Sequence, residues 1–172
     1  LGRCGSAKLY PPGGDVIGRR RLDTHLDGFR QLGAAIRTGG AYTFKTARRL
    51  QGHRLLLDEA SVTATENLIM ASVLAKGTTT IYNTACEPHV QDLCRMLIAM
   101  GARISGIGTN LLTIEGVDAL HGTEQRIGPD YIDAGSYLAA ALVTGGELTV
   151  EDVAPGDLEI LQKPFGRFGV RW

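Results

Sequence analysis

The sequence predicts an α/β (α+β) fold built from repeated β-α-β-α-β-β units. Short apolar or β-branched segments alternate with segments of helical periodicity, as strands and helices do in such folds. A glycine follows each predicted helix, where its tolerance of positive φ lets the chain turn. Parts of this pattern recur after about seventy residues, which is typical of a protein made of structural repeats. With 172 residues, the chain is long enough to bury a core of ordinary size.

One complete unit is predicted between residues 53 and 117. An apolar strand and its following helix come first, and Gly77 ends that helix. A β-branched strand comes next, and then a helix that Pro88 opens and Gly101 ends. A hairpin with Gly108 in its turn completes the unit. The six elements are predicted over residues 53–57, 64–75, 78–82, 88–100, 103–107 and 111–115.

Parts of the unit recur at both ends of the chain. Residues 33–36 echo residues 101–104, with an apolar helix before each segment and a hairpin after it. Residues 134–150 echo residues 64–81, and the echo ends in a strand over 148–150. We therefore expect the back half of one unit, one whole unit and the front half of a third. Because repeats bury their apolar faces on their neighbours, we expect either self-association through the cut ends or a missing remainder of the polypeptide.

Balanced charge and few cysteines exclude several classes of protein. The 18 basic and 18 acidic side chains give no overall attraction to nucleic acid, so an anion site must be local. Trp172 and the scattered tyrosines form no stacking ladder for bases. The three cysteines suit a reducing cytoplasm and lack the spacing of metal ligands, so we predict no metal site. No apolar run is long enough to span a membrane, and we expect neither membrane nor nucleic acid as a partner.

Residues 11–25 carry the strongest functional signal. Their glycines let backbone N–H groups approach a ligand, and the three arginines of residues 19–21 offer forked donors suited to phosphate oxygens. Asp15 lies at the tip, and Asp23 and His25 follow where a helix is predicted to begin. The combination predicts a mobile lid over an anionic, phosphate-bearing substrate. Taken singly, these residues are also typical of a turn aspartate, a solvated charge run, a helix N-cap and a structural histidine.

The motifs and their order make the chain similar to the UDP-N-acetylglucosamine 1-carboxyvinyltransferases, a family of bacterial enolpyruvyl transferases. The resemblance covers nearly the whole chain, beginning with the lid segment. The matching motifs are Pro12-Gly13-Gly14-Asp15-x-Ile17-Gly18-x-Arg20-x-x-Asp23-x-His25, Ser61-Val62-x-Ala64-Thr65, Glu87-Pro88, Leu97-x-x-Met100-Gly101-Ala102-Arg103-Ile104, and Pro129-Asp130-x-Ile132-x-Ala134-Gly135.

The resemblance implies an inside-out α/β barrel of two similar domains, each with three of these units. Residues 1–127 would then belong to the lid-bearing domain, and residues 128–172 would start the next unit and lead into the second domain. The implied reaction transfers the enolpyruvyl group of phosphoenolpyruvate to the 3-hydroxyl of UDP-N-acetylglucosamine, without a cofactor, in the bacterial cytoplasm. The chain would be a fragment that is inactive alone. The alternatives are a non-catalytic fragment that binds the UDP-sugar, and the shikimate-pathway enolpyruvyl transferase.

The resemblance also implies roles for individual residues. Asp15 stands where most members have a cysteine, and it would be the general acid of the lid and confer resistance to fosfomycin. The implied substrate-binding residues are Arg20, Arg21, Leu22, Asp23, His25, Ser61, Val62 and Thr63. Arg21 replaces a usual proline, Thr63 replaces a usual glycine, and Glu59 stands where some members have lysine. For Glu87 and Asp130, which lie at predicted helix starts, capping is the default interpretation.

Overall fold

A computed structural model of the chain describes residues 1–11 and 22–170. The chain divides into two compact units, Leu1–Gln125 and Arg126–Trp172. The first unit contains seven strands and three helices within its described residues. In chain order these are β1 (Ser6–Leu9), α1 (Asp23–Gln31), β2 (Ala35–Arg37), β3 (Tyr42–Lys45), β4 (Arg54–Leu56), α2 (Val62–Ser72), β5 (Thr78–Tyr82), α3 (Pro88–Ala99), β6 (Arg103–Ser105) and β7 (Leu111–Glu115).

The strands of the first unit form two sheets. A three-stranded antiparallel sheet has the order β1-β3-β2, and a four-stranded sheet has the order β4-β5-β7-β6. β4 and β5 are parallel, with α2 as the crossover between them, and the other pairs are antiparallel. The order β4-α2-β5-α3-β6-β7 confirms the predicted β-α-β-α-β-β unit. Helix α2 begins at Val62 and ends at Ser72, so it starts earlier and stops earlier than predicted.

The C-terminal ends of α1 and α3 show the repeat in atomic detail. Gly33 and Gly101 both have positive φ, 91° and 101°. The next amide, of Ala34 or Ala102, donates to the carbonyl of Phe29 or Leu97, five residues earlier. This is the 6→1 bond of a Schellman ending, which a glycine at positive φ permits. The sequence echo between residues 33–36 and 101–104 therefore corresponds to one repeated backbone conformation.

The core of the first unit lies between α2 and the four-stranded sheet. Alternate residues of β5 and β7 are buried, and Ile81 pairs with Leu112 while Thr79 pairs with Ile114. Gly28 of α1 lies so close to α2 that a Cβ added there would come within 2.6 Å of the Leu68 methyl carbons. Fully buried large side chains of this core include Leu32, Leu50, Leu55, Leu68, Ile69, Ile81 and Ile114.

Arg49 connects the segment after β3 to the complete unit. Its Nε donates to the Leu74 carbonyl at 2.8 Å, and its Nη2 donates to the Val117 carbonyl at 2.6 Å and to the Ala75 carbonyl at 3.3 Å. Its Nη1 also pairs with Asp118 at 2.6 Å. The planar guanidinium can satisfy several backbone carbonyls at once because its donors point in fixed directions.

The regular secondary structure described in the second unit is all helical. It contains α4 (Tyr131–Thr144), a 3-10 turn over Pro155–Leu158 and α5 (Glu159–Gly166). The Asp130 carboxylate caps α4 by accepting from the amides of Ile132 and Asp133, which confirms its predicted capping role. The strand predicted over residues 148–150 is wrong, since that segment is irregular. The described residues of this unit contain no strand with which it could form a ladder.

Candidate functional site

The adjoining N-terminal parts of α1 and α2 form the candidate site. The Thr24 hydroxyl, which is buried, bonds Asp58 Oδ1 at 2.6 Å and lies 3.2 Å from Glu59 Oε1. Because these carboxylates belong to the turn before α2, this contact fixes the turn against the first turn of α1. Glu59, at a position where the resemblance implies lysine in some members, therefore has a structural partner in Thr24.

Helix α2 begins with a side-chain cap at Ser61. The Ser61 hydroxyl accepts a hydrogen bond from the Ala64 amide at 3.3 Å. Thr65, which is fully buried, donates its hydroxyl to the Ser61 carbonyl at 2.7 Å and accepts from the Ala85 amide at 3.1 Å. Val62 and Thr63 form the first helical turn, whose amides have no preceding turn to bond. This end of the helix is also the positive end of its dipole and favours a negatively charged ligand.

His25 joins the two helices at the site. Its Nε2 lies 3.4 Å from Thr63 Oγ1 and its Nδ1 lies 3.2 Å from Asn67 Nδ2. Burial lowers the pKa of His25 below its usual 6.5, and the negative charge of Glu59 opposes this shift in part. The imidazole therefore favours its neutral form near neutral pH, in which one nitrogen donates and the other accepts.

A groove of about 470 Å³ lies between α1 and the three-stranded sheet. Its wall is mainly apolar, and the polar side chains of His25 and Asn67 stand at one side of it. The lining residues are Leu1, Ala7, Leu9, Tyr10, Leu22, His25, Leu26, Phe29, Tyr42, Phe44 and Asn67. A mainly apolar cleft with a few polar groups is typical of small-molecule sites.

Several residues predicted from the sequence lie at this site. Leu22 precedes α1 and lines the groove, His25 bridges the helices, and Thr63 contacts His25. Asp23 is the first residue of α1, and Leu22 holds the N-cap position, so the N-cap interpretation of Asp23 is wrong. The remaining predicted site residues, Asp15, Arg20 and Arg21, lie outside the described residues.

Three polar residues of the site were not predicted from the sequence, namely Thr24, Thr65 and Asn67. The only sequence signal for Asn67 is its i,i+4 spacing from Thr63, which places the two on one face of α2. Glu87 lies at the N-cap of α3 but makes no side-chain cap bond, so its predicted capping role rests only on its position near the helix dipole. Among residues 1–11 and 22–170, no group of three or more histidines, cysteines and carboxylates could hold a metal ion. No helix in the described part of the chain is both long and apolar enough to cross a bilayer.

The fold and the family model assign the chain to the enolpyruvyl transferases. The chain belongs to the EPSP synthase (3-phosphoshikimate 1-carboxyvinyltransferase) family, whose model matches residues 1–172. Its fold is similar to that of the enolpyruvyl transferase NikO from Streptomyces tendae, with a TM-score of 0.64, 21% identity and coverage of 81% of this chain and 34% of that one. It is also similar to that of an EPSP synthase from Acinetobacter baumannii, with a TM-score of 0.67 and 23% identity. That comparison covers 92% of this chain and 37% of the other. The predicted enolpyruvyl transferase-like α/β fold is confirmed.

The chain has higher sequence identity to one kind of enzyme within that class than to these solved structures. It is 58% identical over 172 residues to the UDP-N-acetylglucosamine 1-carboxyvinyltransferases of Treponema denticola and Treponema pallidum. The corresponding protein of Bacteroides thetaiotaomicron is 55% identical over 174 residues. These alignments cover 99–100% of this chain, whereas the chain spans about 40% of the length of each relative.

Proposed function

We propose that this chain contributes to an enzyme that transfers the enolpyruvyl group of phosphoenolpyruvate to the 3-hydroxyl of UDP-N-acetylglucosamine. The observation that carries this proposal is the 58% identity, over the whole chain, to enzymes named for this reaction. The grouping of His25, Ser61 and Thr63 at the adjoining starts of α1 and α2 supports it, because these residues match the family's nucleotide-binding segments.

The proposed chemistry is an addition followed by an elimination. The methylene carbon of phosphoenolpyruvate takes a proton, and the sugar 3-oxygen forms a bond to C2 and loses its own proton to a base. The resulting tetrahedral phospholactoyl intermediate then loses a proton from the new methyl group, and the bond from C2 to the phosphate oxygen breaks. The products are the enolpyruvyl ether and inorganic phosphate, so the reaction needs no cofactor and no oxidant.

Asp15 is our candidate for the general acid of the addition step. A carboxyl group can protonate carbon near neutral pH only if it holds its proton there. An exposed aspartate has a pKa of about 3.9, so it would be ionised. Desolvation beneath a closed lid and the negative charge of phosphoenolpyruvate would both raise that pKa, while the neighbouring arginines would lower it.

The substrate's nucleotide end would meet the other predicted residues. Arg20 and Arg21 are our candidates for forked contacts to the diphosphate, and the start of α2 at Ser61, Val62 and Thr63 would present amides to it. Leu22, Asp23 and His25 would line the uridine pocket. In this proposal residues 1–127 belong to the lid-bearing domain and residues 128–172 lead into the second domain. The enzyme would act in the bacterial cytoplasm, at the first committed step of peptidoglycan synthesis.

One alternative is the shikimate-pathway reaction, which the name of the matching family model favours. The two reactions share phosphoenolpyruvate and differ in the acceptor hydroxyl. The whole polypeptide expressed from its natural gene should release phosphate from phosphoenolpyruvate with UDP-N-acetylglucosamine and not with shikimate 3-phosphate. The opposite selectivity would replace our proposal with this alternative. Binding of the UDP-sugar without phosphate release would favour a non-catalytic binding protein.

Two substitutions test the role of Asp15 in that whole polypeptide. Asp15→Asn keeps the shape of the side chain but removes its acid, so turnover should fall by about 10²-fold or more. Asp15→Cys should keep activity and gain time-dependent inactivation by fosfomycin, because a thiolate is a far better nucleophile than a carboxylate. Unchanged turnover in Asp15→Asn would contradict the role of Asp15 as general acid. Time-dependent covalent labelling of the wild type at Asp15 by fosfomycin would contradict the expected resistance.

A further inference from the structure

We infer that Asn67 is a positioning residue of the proposed site, which holds His25 with its proton on Nε2 and thereby makes the Thr63 hydroxyl a donor to the bound nucleotide sugar. The inference rests on the proposed function for the identity of that ligand. The hydrogen-bond chain itself, from Asn67 through His25 to Thr63, follows from the side chains and their distances.

Asn67 sets the order of donors and acceptors in this series of hydrogen bonds. Its Nδ2 lies 3.2 Å from His25 Nδ1, and an amide nitrogen can only donate. His25 Nδ1 must therefore present its lone pair, so a neutral ring carries its hydrogen on Nε2. That nitrogen lies 3.4 Å from Thr63 Oγ1 and donates to it. The Thr63 hydroxyl hydrogen is then directed away from the imidazole and can be donated to another acceptor.

The surrounding packing holds the imidazole between its two partners. Thr63 and Asn67 lie one helical turn apart on α2, so they approach the ring from its two nitrogen edges. Close contact between Gly28 and Leu68 brings α1 and α2 together next to the ring. The buried Thr24 hydroxyl fixes the start of α1 to the turn before α2. Because both helices are fixed there, the ring has little freedom to exchange its partners.

The opposite tautomer would reverse what Thr63 presents. With the hydrogen on Nδ1, the Nε2 lone pair would accept the Thr63 hydroxyl hydrogen, and a lone pair of Oγ1 would then face the ligand. The diphosphate oxygens of a nucleotide sugar can only accept hydrogen bonds, so they would lose a donor and meet an acceptor instead. The amide of Asn67 thus matters to binding although it needs no contact with the ligand.

The tautomer can be read directly from imidazole nitrogen chemical shifts. The chain contains four histidines, and in the ¹⁵N-histidine-labelled chain the signals of His25 are those that disappear in His25→Gln. At pH 8 the wild type should show protonated Nε2 and unprotonated Nδ1. Asn67→Asp, which can only accept at that position, should move the proton to Nδ1. Asn110→Asp, at an exposed hairpin position, adds the same charge and should leave the tautomer unchanged.

Binding of UDP-N-acetylglucosamine to the same chain completes the test. Thr63→Val removes the hydroxyl at nearly constant shape, and we expect a loss of about tenfold in affinity for one hydrogen bond to a charged group. Asn67→Asp should cost a similar factor, and the double variant should bind no more weakly than Thr63→Val alone. Asn67→Ala serves as a second variant if the aspartate prevents folding, and it should leave a mixture of tautomers.

Two results would overturn the inference. One is a wild-type His25 protonated on Nδ1 at pH 8. The other is independent, multiplying losses of affinity in the double variant. A wild-type chain that binds no UDP-sugar would refute the proposed ligand for this chain. A change of tautomer in Asn67→Asp would still support the positioning of His25 by Asn67 in that case, so the two failures are distinguishable.

Discussion

Helices α2 and α4 correspond in the sequence repeat, yet the structure buries one and leaves the other largely exposed. Six residues of α2 are buried, including Leu68 and Ile69 at 0% exposure. Only Ala134 and Gly135 of α4 are buried, whereas Val143 remains 82% exposed. Helix α2 is the crossover between two parallel strands, and the described residues of the second unit contain no strand. The repeated pattern thus specifies a helix in both places, and neighbouring strands determine its burial.

Truncating one leucine in each helix should reveal this difference with the largest effect. Leu68→Ala removes a fully buried side chain and should lower the free energy of unfolding by about 2–5 kcal/mol, since it leaves a cavity. Leu142→Ala, at a site 41% exposed, should change it by only about 0.5 kcal/mol. Urea unfolding of both variants measures the contrast. Equal losses would mean that α4 is as well packed in solution as α2.

Removing the guanidinium group of Arg49 should have the next largest effect on stability. Arg49→Ala leaves the carbonyls of Leu74 and Val117 without their guanidinium donor, and we expect a loss of about 2–3 kcal/mol in unfolding free energy. Arg49→Lys keeps the charge but not the fork, so it should recover only part of this stability. Arg103→Ala is a control, because its pair with Glu115 is 3.7 Å long and exposed, and it should cost less than about 1 kcal/mol. Similar losses of stability at Arg49 and Arg103 would contradict a special contribution of the Arg49 hydrogen bonds to the backbone carbonyls.

The contrast between the two helices also shows where the sequence sufficed. The equivalence of Gly33 and Gly101 can be predicted from the sequence. Each glycine follows an apolar helix, and a helix that ends at a residue of positive φ favours glycine at that residue. The strand at 148–150 was predicted by analogy with β5, but a strand needs neighbours to accept its hydrogen bonds. Helix α2 begins earlier than predicted because Ser61 caps it, and Ser61 lies before the predicted helix start at residue 64.

The candidate site was predicted only in part, because some of its contacts join elements that are distant in the sequence. Ser61, Thr63 and His25 could be identified from motifs, since each lies in a local segment with its own pattern. The pairing of Asn67 with His25 depends on how closely α1 approaches α2. That approach is possible because residue 28 has no side chain to hold the helices apart at Leu68. Periodicity indicates which face of a helix is buried, but it does not specify which residue of another helix meets it.

The exposed face of α4 leads to a prediction about association. Ile132, Tyr137 and Val143 are each more than half exposed, and such apolar surface favours contact with another copy of the chain. We expect light scattering to give a mass above that of the 18.4 kDa monomer at high protein concentration. Val143→Lys should lower the mass, whereas Thr123→Lys, at an exposed polar site, should not. A wild type that stays monomeric would contradict this expectation.

The smallest effect we expect is a change of stability with pH that depends on His25. Burial lowers its folded-state pKa below the usual 6.5, and Glu59 is the nearby charge that opposes the shift. Between those two pKa values the unfolded chain binds more protons than the folded chain does. The contribution of His25 to stability is therefore complete above pH 6.5 and declines as the pH falls. Urea unfolding at pH 7.5 and 5.5 should therefore show a decrease that His25→Gln reduces and His53→Gln, at an exposed site, preserves. Asn67→Asp should also reduce it, because a carboxylate beside Nδ1 favours the charged imidazole that the amide disfavours. A decrease unchanged in both His25→Gln and Asn67→Asp would assign the pH dependence to other groups.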